Sequence, residues 1–466
     1  MGFALAARLS LAAGSIRSAL MLLAACCALV ACVSAPHTSD ANRNDGKLSI
    51  AADRLILVTL DNRTPPVIGE PGSTPHGYSA TNSYALGDQA RSVGAALARE
   101  YGLQKVREWP IVPLKVQCLV FSIPDAADRE ALMRRLSADG RVRLVQPLQL
   151  FNALGSGEPD NQIAARLDPH STAMASPYND PYFGLQHGFA QIDAAAAQLW
   201  TRGEGVNVAI IDTGVATSHP DLDGRITLTR NFIDDDMKAF QTDRHGTQIA
   251  GIIAADANNG LGIVGIAPAV RLQVYKACEP ARPQSMESVC NTFTLARALG
   301  AAIDRHAQIV NLSLGGPADP LLSQIVGYGL QHGVVFVGAV PQSGRLDGFP
   351  LSVVGVIAVD QSGRSENTPG VLHAPGQDIV STAPDGRYDF ATGSSFAAAH
   401  VTGAVALLRA RAPAMSAVAL QAVLERTQTP QRDGSYTVNI CAALDAIQPH
   451  DDCMHSARAV ATAAAK

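Results

Sequence analysis

From about residue 206 onward, short apolar runs alternate with helix-length stretches, and this alternation constrains the fold more than any other feature. Val206–Ile211, Ile263–Gly265, Leu272–Lys276, Ile309–Leu314, Val334–Val340 and Val354–Val359 read as strands that are apolar on both faces. Thr247–Ala255, Thr294–His306 and Ser395–Arg411 read as helices between them. A strand apolar on both faces must be covered on both faces. Strands separated by helices need crossover connections and therefore run parallel. The predicted fold class is α/β, with a doubly wound, mainly parallel sheet. A hydrophobic content of 47% against 17% charged residues gives the chain enough apolar surface for such a core.

The first half reads differently. Arg8 and Arg17 precede an uncharged apolar run, Ala19 to Val30. The run is too short for a bilayer, which needs roughly 20 residues, and it predicts a secretory signal over residues 1–31. It ends Leu29-Val30-Ala31-Cys32, so Cys32 is the expected lipidation site of a bacterial lipoprotein, with the membrane as a partner through that lipid. The expected location is the cell envelope as a membrane-anchored form, or outside the cell after processing. Residues 32–47 are polar and aperiodic, as a tether is. Residues 48–152 form a small α+β unit. Leu55–Leu60, Val116–Ile123 and Val142–Val145 are its strands, Ala90–Tyr101 is one helix, and Asp125 opens a second helix carrying Met133 and Leu136. That alternation predicts a ferredoxin-like layer. Gly155, Ser156, Gly157, Pro159, Pro169 and Pro177 mark residues 153–177 as an exposed linker open to cleavage. The main domain is expected over 178–449, with a tail at 450–466.

Of the eight cysteines, Cys26 and Cys27 leave with the signal and Cys32 takes lipid. Cys278 with Cys290, and Cys441 with Cys453, are close in sequence, and an exported chain meets an oxidising compartment. Each local disulfide would contribute roughly 3 kcal/mol in the chain-entropy description. Net charge is −5 without a basic run, and aromatics are only 5%, so nucleic acid is not an expected partner.

Three boxes carry chemistry. Val206–Gly214 is a buried strand ending in Asp212, then Thr213-Gly214, at the carboxyl end where open α/β sheets place their sites. Arg244-His245-Gly246-Thr247 puts a histidine at the start of a helix of small residues. Thr392-Gly393-Ser394-Ser395 puts two serines at a helix N-terminus, where the local field is positive and a backbone N–H can face a developing oxyanion. On these residues alone either Ser394 or Ser395 could be the nucleophile. Asp, His, Ser is the chain order of one of the convergent triads.

In this order the boxes resemble those of the subtilisin-like serine proteases. The likeness runs from about Asn179 to Leu444 and includes His219-Pro220-Asp221-Leu222, Gly265-Ile266-Ala267-Pro268 and Ala374-Pro375-Gly376. The resemblance implies a serine endopeptidase whose triad is Asp212, His245 and Ser395, acting on protein or peptide substrates. It implies that Ser313, Leu314 and Gly315, followed by Gly316, line the specificity pocket and pair with substrate backbone. It also implies that residues 48–152 are a propeptide, a folding aid that blocks the cleft until removed, so that the chain's own propeptide is a partner. The pattern departs at Val337–Gly344. Gln342 stands where the family has the asparagine that supplies the second oxyanion donor, and Pro341 replaces the glycine before it. Ala399 also replaces a proline before His400. No cofactor is expected. Many relatives bind calcium, but Asp234, Asp235 and Asp236 read as a solvated acidic turn, since calcium needs oxygens from several loops. The alternative function is a catalytically impaired, subtilisin-like binding or scaffold lipoprotein.

Overall fold

A computed structural model of the chain describes residues 45–62, 88–125, 127–154, 177–234, 236–281, 287–364, 368–431 and 434–449. All of them lie in one compact unit that begins at Asn44. The signal segment, Cys32, most of the tether and linker, and the tail with Cys453 lie outside the described residues.

The first layer is a four-stranded antiparallel sheet. It is built from β1 (Leu55–Asp61), β2 (Gln104–Ile111), β3 (Val116–Ser122) and β4 (Val142–Pro147), in the spatial order β2-β3-β1-β4. Helices α1 (Asp88–Glu100) and α2 (Arg129–Ser137) complete a βαββαβ unit of the ferredoxin-like kind. Strand β2 was not legible in the sequence. It lies at the sheet edge, carries Lys105, Arg107 and Glu108, and ends near Pro110, a residue that edges tolerate and centres do not. The cap of α2 is also corrected. Asp128, not Asp125, accepts hydrogen bonds from the Glu130 and Ala131 amides.

The chain then leaves this sheet. Leu150–Ala153 (β5) joins a second sheet in the order β12-β5-β10-β9, whose other members come from later in the chain. These are β9 (Cys278–Pro280), β10 (Ser288–Asn291) and β12 (Leu314–Gly315). The strand therefore crosses the boundary expected between residues 152 and 153 by one residue.

The large layer is a seven-stranded sheet. Its strands are β6 (Asn207–Asp212), β7 (Ile226–Asn231), β8 (Arg271–Lys276), β11 (Ile309–Leu312), β13 (Val335–Ala339), β14 (Ile357–Gln361) and β15 (Val371–Ala374). Their order is β15-β14-β13-β11-β6-β8-β7, and every neighbouring pair is parallel. Helices α3 (Arg244–Ala254), α4 (Thr292–Asp304), α5 (Pro320–Gln331) and α6 (Ser394–Arg411) cover it. The apolar strands are fully buried because helices lie on both faces, as their unbroken hydrophobicity requires. Two details differ from the sequence reading. Ile263–Gly265 is buried but is not a strand, and the strand expected from Val354 begins at Ile357, Val354 itself being exposed. The winding changes direction between β6 and β11. The crevice at the carboxyl ends of those two strands is where an open α/β sheet holds its ligand.

Candidate active site

Asp212 ends β6 and is buried. Its Oδ1 accepts hydrogen bonds from the Thr213 amide at 2.7 Å and from His245 Nδ1 at 2.8 Å. With a carboxylate as acceptor, the neutral imidazole carries its proton on Nδ1, which leaves Nε2 as the base. His245 stands in the first turn of α3. The glycines of the two boxes are explained by one contact. A Cβ on Gly246 would overlap the carbonyl oxygen of Gly214, and Gly214 itself has φ of +127° with the Phe240 carbonyl against it. Only glycine at both positions lets the end of β6 and the start of α3 approach closely enough to join Asp212 to His245. Thr247 completes the joint, accepting from the Ala216 amide at 2.9 Å.

Next to this pair in the sheet register is an ion pair that the sequence reading missed, between buried Lys276 and partly buried Asp243. Lys276, opposite Asp212 in the sheet register, donates to the Asp243 carboxylate and to the Thr213 carbonyl. Burial pushes Asp243 up to about 6 against the lowering influence of Lys276. Burial is also the strongest influence on His245 and opposes its protonation. The charge and hydrogen bond of Asp212, with the charge of Asp243, outweigh it and hold the ring above its ordinary value of 6.5.

Ser394 and Ser395 open α6. Their hydroxyls have different fates. Ser394 Oγ donates to the Val340 carbonyl at 2.6 Å and is committed to the structure. Ser395 Oγ donates to the carbonyl oxygen of Leu154, immediately after β5. The Nε2 of His245 is buried without a partner among the described residues.

Strand β5 enters this crevice antiparallel to both neighbours. Val289 faces Asn152 and Cys290 faces Phe151 on one side, while Leu314 faces Ala153 and Gly315 faces Asn152 on the other. The Leu154 amide donates to the Ser313 carbonyl at 2.9 Å. The Leu154 side chain rests over Gly315, where an added Cβ would stand 3.3 Å from Leu154 Cδ1. Phe151 is wholly buried over Gly316, edge-on to Phe349 with ring centroids 5.7 Å apart. Ser313, Leu314 and Gly315 are thus all in contact with, or paired to, this strand. The sequence reading missed Leu150–Leu154 as an occupant of the crevice. The segment Leu-Phe-Asn-Ala-Leu has no apolar–polar alternation that would have marked it.

A buried disulfide joins Cys278 to Cys290 across β9 and β10, fastening the wall on which β5 pairs. Cys441 is disulfide-bonded, and its expected partner Cys453 lies outside the described residues. Cys118 is a free, buried thiol pushed up to about 12 by burial.

Gln342 follows β13 and is exposed. It lines the same cavity as Leu154, Gly393 and Ser394. In the acidic turn, Asp234 accepts from Asn231 and the Asp236 amide, and Asp236 caps a short helix. Two other carboxyls, Asp180 and Asp221, are buried. Burial raises Asp180 and pushes Asp221 up to about 6, and Oδ1 of Asp180 has no partner among the described residues. Both oxygens of Asp221 are taken, Oδ1 by Asn259 and Oδ2 by the Ile263 amide and the Tyr388 hydroxyl. Among the described residues, no group of three His, Cys, Asp or Glu side chains is placed to hold a metal.

The head of the parallel sheet thus carries the joined Asp212–His245 pair, and Phe396, next to Ser395 at the start of α6, lies with its ring centroid 5.7 Å from that of His245, while Ser395 Oγ itself is bonded to Leu154 and not to His245. The subtilase family model matches residues 203–441, and the chain belongs to that family. It is 34% identical to thermitase of Thermoactinomyces vulgaris over 53% of this chain and 90% of that protein. It is 33% identical to a thermophilic serine proteinase of Bacillus sp. strain AK1, over 62% and 68%. It is 31% identical to subtilisin E of Bacillus subtilis, over 56% and 68%. In fold it is similar to fervidolysin from Fervidobacterium pennivorans, with a TM-score of 0.61 and 23% identity over 84% of this chain and 60% of that one. The chain is a serine-type endopeptidase.

Proposed function

We propose that this endopeptidase is made as an exported zymogen, held in the cell envelope by lipid on Cys32, and that it cuts itself after Leu154. In this reading Asp212, His245 and Ser395 are the catalytic triad. Ser395 Oγ attacks the substrate carbonyl carbon while His245 Nε2 takes its proton. The oxyanion is held by the Ser395 backbone N–H and the Gln342 amide. His245 then returns the proton to the leaving amine, and the acyl-enzyme is hydrolysed by water activated by the same base. Asp212 keeps the proton on Nδ1 and stabilises the imidazolium.

The observation that carries this reading is the Leu154 carbonyl held by Ser395 Oγ, at the end of a strand paired on both sides. A peptide aligned in this way is a substrate or a freshly cut product. The first residues of the chain, the small sheet and β5 then make up the propeptide, and the mature enzyme begins at Gly155 with its peptidase domain over residues 178–449. A substrate with leucine at the cut and an aromatic residue three positions before it fits the same contacts.

The test is to produce the full chain and sequence the N-terminus of the mature enzyme. Gly155 is the expected first residue, with loss of cutting in Ser395→Ala and labelling of the processed wild type by a fluorophosphonate. Cutting that persists in Ser395→Ala would refute self-processing, and a processed protein that does not label would refute the nucleophile. The second reading, an impaired binding lipoprotein, is favoured only by the Pro341-Gln342 departure. It predicts the unlabelled result.

A further inference from the structure

The loop that carries Gln342 is held in an unusual way. After β13, Val340 still pairs its amide with the Val359 carbonyl at 2.8 Å. Then three successive carbonyls turn to side-chain donors. Ser394 Oγ takes the Val340 carbonyl at 2.6 Å. One guanidinium, that of Arg364, takes the next two, Nη2 donating to Pro341 at 3.0 Å and Nη1 to Gln342 at 3.1 Å. The guanidinium is itself braced. Its Nε and Nη2 lie 2.8 and 3.0 Å from the two carboxylate oxygens of Asp360, a residue at the end of β14 that is 1% exposed. A planar fork anchored on a buried carboxylate cannot swing as a lysine would.

The arrangement answers a problem set by the sequence. A glutamine carries its amide one methylene further from the backbone than an asparagine does, so its reach into the oxyanion position depends on where the backbone stands. Pro341 fixes one dihedral angle of the approach but has no N–H with which to tie the turn down. The ties come through carbonyls: the Gly344 amide closes the turn onto the Pro341 carbonyl at 2.9 Å, and Ser394, beside the nucleophile, and Arg364 fix that turn to the rest of the fold, with Arg364 holding the Gln342 carbonyl itself.

We infer that Arg364, braced by Asp360, is a positioning residue that sets the Pro341–Gln342 backbone so that the Gln342 amide serves the oxyanion. The inference rests on the reading of Gln342 as the donor, and its test separates the two.

The experiment uses the processed enzyme and a small peptide amide, with kcat and KM measured for wild type, Arg364→Ala, Arg364→Lys, Gln342→Ala and Arg364→Ala/Gln342→Ala. Thermal melting confirms that each variant is folded. The expected result is a 10- to 100-fold fall in kcat for Arg364→Ala, with KM changed less than about threefold. Arg364→Lys restores little, whereas added methylguanidinium restores part of the loss in Arg364→Ala. In the Gln342→Ala background the Arg364→Ala change costs less than about twofold more, because its effect passes through the amide already removed. An unchanged kcat in folded Arg364→Ala overturns the inference, and so does an equal loss in both backgrounds. If Gln342→Ala alone leaves kcat intact, the donor reading itself fails, whatever Arg364 does.

Discussion

The two flanks of Ser395 are built on opposite principles. On the Asp212–His245 side, contact is made by removing side chains. Gly214 and Gly246 meet backbone to backbone, Asp212 is buried, and the ring is held at 2.8 Å. On the Gln342 side, contact is made by adding side chains. An exposed loop is tied through three carbonyls to Ser394 and to the Arg364–Asp360 pair. The first flank tolerates no variation in sequence because a Cβ has nowhere to go. The second can keep its geometry with different residues, so long as something ties the loop. A motif search reads the first kind of site and passes over the second.

This contrast predicts unequal sensitivity. Asp212→Asn preserves shape but presents an amide to His245 and favours the wrong tautomer, and a loss of about 10⁴ in kcat is expected, as in the convergent triad. A loss below about 100-fold, measured on the processed enzyme, would show that Asp212 does not set the tautomer. Gln342→Ala is expected to lower kcat by about 10²–10³ with KM nearly unchanged, the range seen when such a donor is removed from a protease of this family. A change confined to KM would place Gln342 in substrate binding instead, and would erase the distinction between the flanks.

Legibility in the sequence followed the same line. The parallel sheet could be read because its strands are apolar on both faces, and the helices because small residues recur at helical spacing. The motif-bearing residues could be placed because their glycines are forced by close packing. Strand β2 could not, since an edge strand with Lys105, Arg107 and Pro110 lacks the pattern of a buried one. The choice between Ser394 and Ser395 became structural only when Ser394 Oγ was seen bonded to Val340. Leu150–Ala153 was invisible as a cleft strand because its partners, Val289–Asn291 and Leu314–Gly315, lie far along the chain. Lys276, Asp243, Asp360 and Arg364 escaped for a related reason. Each is an ordinary charged residue until a specific partner gives it a role, as buried Lys276 does for Asp243 and buried Asp360 for Arg364.

The smallest expected effect is one of pH, and it belongs to the first flank alone. His245 is held above its ordinary 6.5 by Asp212 and Asp243, against the opposing and larger single influence of burial. The base must be neutral to act, so kcat/KM of the processed enzyme is expected to fall on the acid side with a midpoint above 6.5. The stability contribution of the same group has the opposite sign. A raised folded-state value means that the protonated ring stabilises the fold fully below about 6.5, and that this stabilisation is lost as pH rises through the raised value. One titration therefore turns activity on while removing a small part of the stability, the loss running upward from about 6.5 to the raised value at which activity is half-developed. A pH profile of peptide hydrolysis set beside melting temperatures of the Ser395→Ala protein cleaved in trans and freed of its propeptide would compare them. An acid limb at or below 6.5 would mean that burial, not the carboxylates, governs His245.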